Sequence, residues 1–322
     1  MFNRILVPLD GSKLAECILP HLVTVARLGE PEVQLLSVLE PAVAATQKQV
    51  TDPVAWQIRK AETESYLAGL AGRLHDVRLR VSANISEGKS ADRIIEAAYN
   101  WNADLIIMSS HGQSGISPWS VSSVAQQVIM RAHRSLMIVR AYQPQSPDLA
   151  ELRYQKIFVP LDGSQRAEMT LSLAEALVCS HESTLLLAHI IEQPKLPRRT
   201  HPSQEDLQLA EQLTERNQQE AHIYMEDLKA RLIAGGCANV ESILEVSPTV
   251  ARSLHRIADE NDIDLTILSA HGYSGDTRWP FGNVVVGFIT YGNSTLLILQ
   301  DLPADRIELT RAEINAREAG TH

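Results

Sequence analysis

Short runs of apolar residues alternate along this chain with longer segments in which apolar residues recur every three or four positions. The short runs are rich in Val, Ile and Leu, as expected for strands buried on both faces of a parallel sheet. The longer segments have the spacing of amphipathic helices, so the pattern predicts repeated βα units. Strands are predicted at Arg4–Leu9, Val33–Leu39, Arg78–Ser86, Asp104–Ser109 and Ser135–Arg140, and again at Lys156–Leu161, Thr184–Ile191, Asn239–Val246, Asp264–Ser269 and Thr295–Gln300. Helices are predicted at Lys13–Leu28, Asp52–Leu74, Ser90–Asn100 and Ser120–Ala132, and again at Gln165–Cys179, Gln204–Ala234, Thr249–Asn261 and Asn283–Tyr291.

The chain contains the same sequence unit twice. Residues Ile5–Ser12 return as Ile157–Ser164 with seven of eight positions identical. Residues Ala103–Trp119 return as Ile263–Trp279 with nine identities in seventeen positions. Two copies of one domain explain both matches. The predicted organisation is a first domain at 1–142, a linker at 143–154, a second domain at 155–302 and a charged tail at 303–322.

Each copy has five predicted strands and four connecting helices. Parallel strands joined by right-handed crossovers favour a doubly wound sheet with helices on both faces. We therefore expect an α/β protein with two three-layer α/β/α sandwich domains, each a five-stranded parallel sheet in the order 3-2-1-4-5.

Composition and charge indicate which classes of partner are disfavoured and which cellular compartment is expected. The net charge is −10 and the pI is about 5.6, and Lys and Arg form no cluster, which weighs against nucleic acid or an anionic membrane. The sequence enters a strand directly after Met1 and has no apolar run of membrane-spanning length, so neither a signal peptide nor a membrane span is expected. These features predict a cytoplasmic protein.

The three cysteines, Cys17, Cys179 and Cys237, have no CxxC motif and no metal-like spacing. This spacing favours a reducing compartment. Cys17 and Cys179 are expected at similar places in the two copies, as small buried apolar residues.

The candidate chemistry falls at the carboxyl ends of strands, where doubly wound sheets bind ligands. Asp10 and Asp162 end the first strand of each copy, and the Gly-Ser that follows predicts a tight turn and a helix N-cap through Ser12 or Ser164. A ligand hydroxyl or a metal ion would suit the repeated acid.

The fourth strand of each copy runs into a His-Gly-x-Ser-Gly loop. Glycines let backbone amides approach an anion, a serine adds a hydroxyl donor, and a helix begins soon afterwards with unpaired N–H groups. The loop therefore predicts phosphate binding. Its glycines and serines are Gly112, Ser114 and Gly115 in the first copy and Gly272, Ser274 and Gly275 in the second.

These motifs resemble the universal stress proteins in their tandem-domain form, over almost the whole chain. The resemblance rests on Val-Pro-Leu-Asp-Gly-Ser, on Ser-x-His-Gly-x-Ser-Gly, and on the closing apolar strands Leu136–Arg140 and Leu296–Gln300. It implies an adenine nucleotide alpha hydrolase-like fold. It also implies an adenine-nucleotide site in many members and a scaffold without nucleotide in others.

The nucleotide-binding members share the pattern Gly-x2-Gly-x9-Gly-(Ser/Thr), and neither copy here completes it. The first copy has Ser109 in place of the first glycine and ends in Ser122-Ser123, whereas the second has Ser269 and ends in Gly282-Asn283. Ser122 would be unfavourable if that position needs a positive φ or if its amide must lie against a phosphate. The second copy, with Gly282 and the nearby Arg278, is therefore the better candidate.

By the same resemblance, the ligand is ATP, with Mg²⁺ as an optional companion. The base would lie against Val38 or Ile190 and beside Met108 or Leu268, and Asp10 or Asp162 would face the ribose or a divalent ion. The predicted nucleotide-binding residues are Asp10, Val38, Met108, Gly112, Ser114, Gly115, Ser122 and Ser123, and Asp162, Ile190, Leu268, Gly272, Ser274, Gly275, Gly282 and Asn283.

Other functions remain open at this point. The chain could be a scaffold whose pockets hold another ligand or none, or a slow ATP hydrolase. His111 and His271 have no repeated nucleophile and carboxylate partner, so loop fixing or a phosphate contact is favoured over acid–base catalysis. The segment Ala83–Ser90 fits a relaxed P-loop pattern but has one glycine and carries Glu87 where phosphate would lie.

The last strand of each predicted sheet is an apolar edge, at Leu136–Val139 and Leu296–Leu299. Exposed apolar edges favour pairing with another strand. In the resembling family such edges pair, so we expect an intramolecular pseudo-dimer and consider a homodimer through edge strands.

Overall fold

The computed structural model describes residues 1–41, 53–112, 121–141, 148–194, 203–272 and 280–300. The chain divides into two compact units, the first within Met1–Leu152 and the second within Arg153–Asp301. Each unit is described separately.

Unit 1 alternates strands and helices as the hydrophobic pattern predicts. Its strands are β1 Arg4–Pro8, β2 Glu32–Leu39, β3 Arg80–Glu87, β4 Leu105–Ser109 and β5 Ser135–Val139. Its helices are α1 Leu19–Ala26, α2 Pro53–Asp76, α3 Ser90–Asn100 and α4 Ser123–Arg131, and a 3-10 turn at Ala15–Ile18 precedes α1.

Unit 2 repeats this arrangement. Its strands are β6 Lys156–Leu161, β7 Thr184–Glu192, β8 Asn239–Ser247, β9 Leu265–Ser269 and β10 Thr295–Leu299. Its helices are α5 Gln165–Glu168, α6 Leu171–His181, α7 Gln204–Ala234, α8 Val250–Glu260 and α9 Asn283–Tyr291.

All strand pairs within a unit are parallel, in the order β3-β2-β1-β4-β5 in unit 1 and β8-β7-β6-β9-β10 in unit 2. The predicted order 3-2-1-4-5 is therefore confirmed, together with the doubly wound α/β class. Strands β2 and β3 lie on one side of β1 in the sheet, and β4 and β5 lie on the other. Right-handed crossovers therefore place α1 and α2 on one face of the sheet and α3 and α4 on the other.

The core lies on both faces of the central strands. In β1, Ile5, Leu6 and Val7 are fully buried, and all five residues of β5 are buried. Unit 2 adds aromatic packing, because the fully buried ring of Phe158 in β6 lies 6.4 Å from the ring of Phe288 in α9. This two-sided burial explains why the strands read as continuous apolar runs.

The first helix of each unit was predicted as one segment, Lys13–Leu28 or Gln165–Cys179, and that detail is wrong. In unit 1 the segment starts as a 3-10 turn and becomes α-helical at Leu19, just before Pro20, which has no N–H to donate. In unit 2 the segment separates into α5 and α6, and the Thr170 hydroxyl donates to the Ala167 carbonyl at 2.7 Å between them. Such local bonding by Thr competes with the helical ladder.

An aspartate fastens the start of the first strand to the start of the fourth in each unit. Asp104 accepts the backbone N–H groups of Asn3 at 2.6 Å and Arg4 at 3.1 Å. Asp264 accepts those of Gln155 at 2.6 Å and Lys156 at 2.9 Å. Two charge-assisted bonds per carboxylate fix the register of the central strand pair.

The cysteines differ from the prediction. Cys17 is buried in the 3-10 turn, as predicted, and burial raises the pKa of its thiol to about 12. Cys179 is exposed in the last turn of α6, so the prediction that it is buried is wrong. Cys237, which follows α7, is buried.

Within the described ranges, no helix combines the length and apolar character that crossing a bilayer requires.

Candidate functional site

The turn after β1 holds Asp10 in a fixed position. Gly11 adopts φ +79°, which a residue with a side chain rarely accepts. The backbone N–H of Ser12 donates to Asp10 Oδ1 at 2.9 Å, and its hydroxyl donates to the same oxygen at 2.6 Å. The Ser12 hydroxyl also accepts the Ala15 N–H at 3.1 Å, as the predicted turn requires.

Unit 2 builds the same turn. Gly163 adopts φ +77°, the Ser164 N–H donates to Asp162 Oδ1 at 3.0 Å, and the Ser164 hydroxyl caps α5 by accepting the Ala167 N–H at 3.1 Å. Both acids therefore occupy equivalent positions at the carboxyl end of the first strand.

Gly112 lies directly against this acid. A Cβ atom at position 112 would overlap Oδ2 of Asp10, and one at position 272 would overlap Oδ2 of Asp162. The first and fourth strands therefore approach each other so closely at their carboxyl ends that a side chain at either glycine would force the carboxylate or the loop to shift. The structure brings Asp10 together with Gly112, and Asp162 with Gly272, as the sequence predicts.

Serines at the end of the fourth strand fix the start of this loop. The Ser109 hydroxyl donates to the His111 carbonyl at 2.7 Å, and the Ser269 hydroxyl donates to the His271 carbonyl at 2.7 Å. Ser109 and Ser269 occupy the first glycine position of the family pattern, so each departure has a structural role here.

His111 is buried beside Ser110, whose hydroxyl lies 3.0 Å from Nδ1. Burial, and after it the positive charge of Arg140, lower the pKa of His111. The ring is therefore neutral at neutral pH and supplies a hydrogen bond rather than a positive charge.

Ser122 begins the helix that follows the loop. Its backbone is extended, with φ −60° and ψ 158°, and its hydroxyl accepts the Ala125 N–H at 3.2 Å. Gly282 has nearly the same conformation, with φ −73° and ψ 164°. Neither position needs a positive φ, so the expected penalty for serine at 122 is wrong.

The Ser122 cap gives a stability prediction. Ser122→Ala should lower the free energy of unfolding by about 1 kcal/mol, because the Ala125 N–H loses its acceptor. Ser122→Gly, which installs the residue present at position 282, should cost only a few tenths of a kcal/mol. Urea denaturation measures both, with Ser123→Ala as the control that keeps the cap. Equal stability of Ser122→Ala and the unmodified chain would contradict this role.

The loop, the turn and the second strand enclose a cavity of about 380 Å³ in unit 1. All six predicted unit 1 residues that the structure describes contribute to its wall. They are Asp10, Val38, Met108, Gly112, Ser122 and Ser123. Leu36, Ile94 and Val124 add apolar surface, and His111, Glu40 and Ser90 add polar groups.

Glu40 and Ser90 form a polar contact that the sequence reasoning missed. Glu40 Oε1 accepts the Ser90 N–H at 2.7 Å. Hydrogen bonds from the Ser90 side chain and backbone lower the pKa of Glu40, so the carboxylate is charged at neutral pH. The rule that strand ends bind ligands could have found Glu40, because it directly follows β2.

Two acids, Asp10 and Glu40, therefore face this cavity, and none of its described lining residues is Lys or Arg. Favourable contacts with an anion would have to come from backbone amides, hydroxyls and the amino end of α4 instead.

In unit 2, the structure places the predicted residues at equivalent positions. Ile190 in β7 and Leu268 in β9 are buried, Gly282 is the N-cap of α9, and Asn283 is its first residue. His189 points its ring edge at Tyr224, with 6.2 Å between ring centres. Burial lowers the pKa of His189, and the charge of Asp162 opposes that shift.

Four predicted residues, Ser114, Gly115, Ser274 and Gly275, lie outside the described residues. Among the described residues, no group of three or more His, Cys, Asp or Glu side chains is arranged to hold a metal ion.

The P-loop-like segment does not form a phosphate cradle in the described structure. The Ser90 N–H at the start of α3 already binds the Glu40 carboxylate, and Arg93 Nε donates to the Glu87 carbonyl at 2.9 Å. The acceptor of this helix terminus is therefore a side chain of the protein itself.

The fold and the repeated strand-end turns define a tandem α/β protein of the doubly wound type. The sequence model of the Universal stress protein family matches residues 1–140 and 153–299. The chain therefore belongs to the universal stress protein family and carries two copies of its domain.

Individual relatives agree with this assignment. Two universal stress proteins of Methanocaldococcus jannaschii are 25% and 27% identical to the chain over 142 and 155 residues, and each match covers 44% of this chain. The matches cover 83% and 96% of those relatives.

Solved structures show the same fold. A universal stress protein from Archaeoglobus fulgidus has a TM-score of 0.61 at 17% identity, covering 92% of this chain and 98% of its own. A functionally unknown protein from Pseudomonas aeruginosa has a TM-score of 0.67 at 16% identity, covering 98% of both chains.

Proposed function

We propose that this tandem universal stress protein binds or senses an adenine nucleotide, without catalysis, and that the cavity of unit 1 is a binding site. The observation that carries the proposal is the cavity of about 380 Å³, whose lining residues combine apolar side chains with hydroxyl-bearing serines, a loop glycine and two acids. This size and this mixture are typical of small-molecule sites.

The apolar side chains that line the cavity suit a purine base. Val38 on β2, Ile94 on α3 and Met108 on β4 line it from three different elements. A flat ring placed between them would bury its faces against aliphatic and thioether groups. The charged Glu40 at the end of β2 would accept a hydrogen bond from an exocyclic amino group, which adenine presents.

The loop glycine and the serines that line the cavity suit phosphate. Gly112, Ser122 and Ser123 line the cavity. Ser122 is the N-cap of α4, and Ser123 is its first residue. The Ser122 hydroxyl satisfies the Ala125 N–H, while the first amides of the helix have no intrahelical acceptor. Amides at a helix start favour an anion through both hydrogen bonding and the helix dipole.

A magnesium ion fits this proposal as a companion of the phosphates. Mg²⁺ is commonly held by one or two carboxylates together with phosphate oxygens. Asp10 is the carboxylate that would hold it. The ion would offset the repulsion between phosphate and the two acids of the cavity.

We propose that unit 2 carries a second binding site, which differs from that of unit 1 at the start of the last helix. It has the same turn and the same contact between Asp162 and Gly272, but Gly282 supplies no side-chain cap to α9. Because the backbone at 122 and 282 is similar, a positive φ gives no reason to favour unit 2. The prediction that unit 2 is the better candidate rests on Gly282 and on the nearby Arg278 in the sequence.

Ligand binding should appear as stabilisation. At 100 times the dissociation constant, ATP with Mg²⁺ should raise the free energy of unfolding of the occupied unit by about 2.7 kcal/mol. Thermal unfolding and isothermal titration measure this effect, with GTP as the matched ligand. Asp10→Ala should weaken binding in unit 1 and Asp162→Ala in unit 2, so the pair of variants assigns the occupied unit.

No stabilisation by ATP with Mg²⁺ in the unmodified chain would overturn the nucleotide proposal and favour the scaffold. Release of ADP at a rate that Asp10→Ala or Asp162→Ala abolishes would overturn the non-catalytic part alone. The cytoplasmic location and pairing through the edge strands remain predictions from the sequence.

A further inference from the structure

Cys179 and Cys237 come from distant parts of unit 2. Cys179 lies in the last turn of α6, and Cys237 follows the end of α7. Both helices lead into strands, so their carboxyl ends lie at the amino edge of the sheet, opposite the candidate nucleotide site. Cys179 is exposed, whereas Cys237 is 1% exposed.

The turn between α7 and β8 brings the two thiols together. Gly236 adopts φ +109°, and the Cys237 N–H donates to the Leu232 carbonyl at 3.0 Å, which closes the turn. A Cβ atom on Gly236 would lie 4.0 Å from Cys179 Sγ. Cys237 directly follows Gly236 in this turn, and the Cys179 side chain contributes to the raised pKa of Cys237, as expected for neighbouring side chains.

Unit 1 supports this placement independently. Its counterparts are Arg27 after α1 and Leu79 after α2. The Leu79 N–H donates to the Leu74 carbonyl at 3.1 Å, as Cys237 does to Leu232, and both counterparts line one cleft of about 390 Å³. The two positions therefore lie near one cleft in unit 1, and only unit 2 has a cysteine at both.

We propose that Cys179 and Cys237 form a redox modification site, in which a hydroperoxide oxidises Cys179 and Cys237 then closes an intramolecular disulfide. A small hydroperoxide in solvent reaches Cys179 first, because Cys179 is exposed and Cys237 is buried.

The atoms and electrons balance in two steps. The Cys179 thiolate attacks the hydroperoxide, the O–O bond breaks, and the products are a sulfenic acid and, after protonation, one alcohol or water molecule. The Cys237 thiol loses its proton and attacks Cys179 Sγ, so the S–S bond forms, the S–O bond breaks and water leaves. Two thiols are oxidised and one peroxide bond is reduced.

The environments assign the roles. Burial, and after it the charge of Cys179, raise the pKa of Cys237 to about 12, and Glu175 adds to this shift. The raised pKa makes the buried Cys237 a poor attacking thiol, whereas the exposed Cys179 is the thiol that an oxidant in solvent can reach. Its conversion to a neutral sulfenic acid removes one cause of the raised Cys237 pKa, so the second thiol becomes easier to ionise after the first has reacted.

The test uses the full chain, treated with hydrogen peroxide, denatured and alkylated with N-ethylmaleimide. The reduced chain should carry three adducts, one per cysteine, and the oxidised chain only one. Before alkylation, the oxidised monomer should be about 2 Da lighter, and a peptide map should contain one cross-linked pair, Cys179 with Cys237.

The variants separate this site from general oxidation. Cys179→Ser, Cys237→Ser and Cys237→Ala should each abolish the intramolecular disulfide, and Cys237→Ala preserves an apolar side chain at the buried position. Cys17→Ser is the matched control and should retain the disulfide, because Cys17 lies in a different unit and is itself buried. Overoxidation of Cys179 without the cross-link, or disulfides only between chains, would overturn the proposal.

Discussion

Replacing Gly112 with alanine is expected to lower the affinity of unit 1 for ATP by roughly ten- to hundredfold. The added methyl group would overlap Oδ2 of Asp10, so either the carboxylate or the loop backbone must move. Displacement of the loop backbone would remove a hydrogen bond from its amide to a charged phosphate of the proposed ligand, and such a bond contributes about 1.5–3 kcal/mol. Isothermal titration of Gly112→Ala against the unmodified chain measures the loss.

The control for this substitution is Gly69→Ala. Gly69 lies inside α2, and a methyl group there meets no atom within 4 Å, so the variant should bind ATP normally and gain about 0.5–1 kcal/mol of stability. Gly272→Ala is the equivalent change in unit 2 and should affect only nucleotide bound there.

A double-mutant cycle identifies the mechanism. In an Asp10→Ala background the methyl group of Gly112→Ala has no carboxylate to displace, so its effect on stability should largely disappear. The cost in the unmodified background should be about 1–3 kcal/mol. Equal costs in both backgrounds would show that the loop tolerates or rejects the methyl group for another reason.

Replacing Phe158 with alanine should destabilise unit 2 by about 3–5 kcal/mol. The ring is fully buried in the central strand and packs against Phe288, which in turn stacks on His255 at 4.1 Å between ring centres. Removing the ring leaves a cavity that the surrounding close-packed groups fill only in part.

Unit 1 supplies the matched control for this variant. Leu6 occupies the equivalent position of the repeat, so Phe158→Leu installs a side chain that the same fold already accepts. It should cost about 1.5 kcal/mol or less. Calorimetry and urea denaturation, followed by hydrogen exchange at unit 1 amides, measure the difference. A Phe158→Leu variant as unstable as Phe158→Ala would contradict the packing explanation.

The strands were predictable because parallel strands buried on both faces produce continuous apolar runs, as in Ile5–Val7. The repeated Asp-Gly-Ser turns were predictable because Gly11 and Gly163 satisfy a local backbone need that is visible in the sequence. The placement of Asp10 and Gly112 at one edge of the sheet was also predictable, since the carboxyl ends of neighbouring parallel strands meet there. Their direct contact was not predicted.

Features that depend on tertiary contacts were not predictable in the same way. Glu40 gains its role from Ser90, which is 50 residues away, and Asp104 from Asn3, which is 101 residues away. The break between α5 and α6 at Thr170 depends on a buried hydroxyl that donates to the Ala167 carbonyl, which competes with the helical hydrogen bonds. The exposure of Cys179 depends on how α6 packs, which its spacing alone does not define.

The aspartate that fastens β1 to β4 has a consequence for the order of synthesis. The first strand emerges from the ribosome with neither neighbour present, and Asp104 follows Asn3 by 101 residues. At about 5–20 residues per second, the nascent β1 waits roughly 5–20 s for its second partner. During that interval its apolar faces are incompletely covered. Strand β6 has the same delay, because Asp264 follows Gln155 by 109 residues.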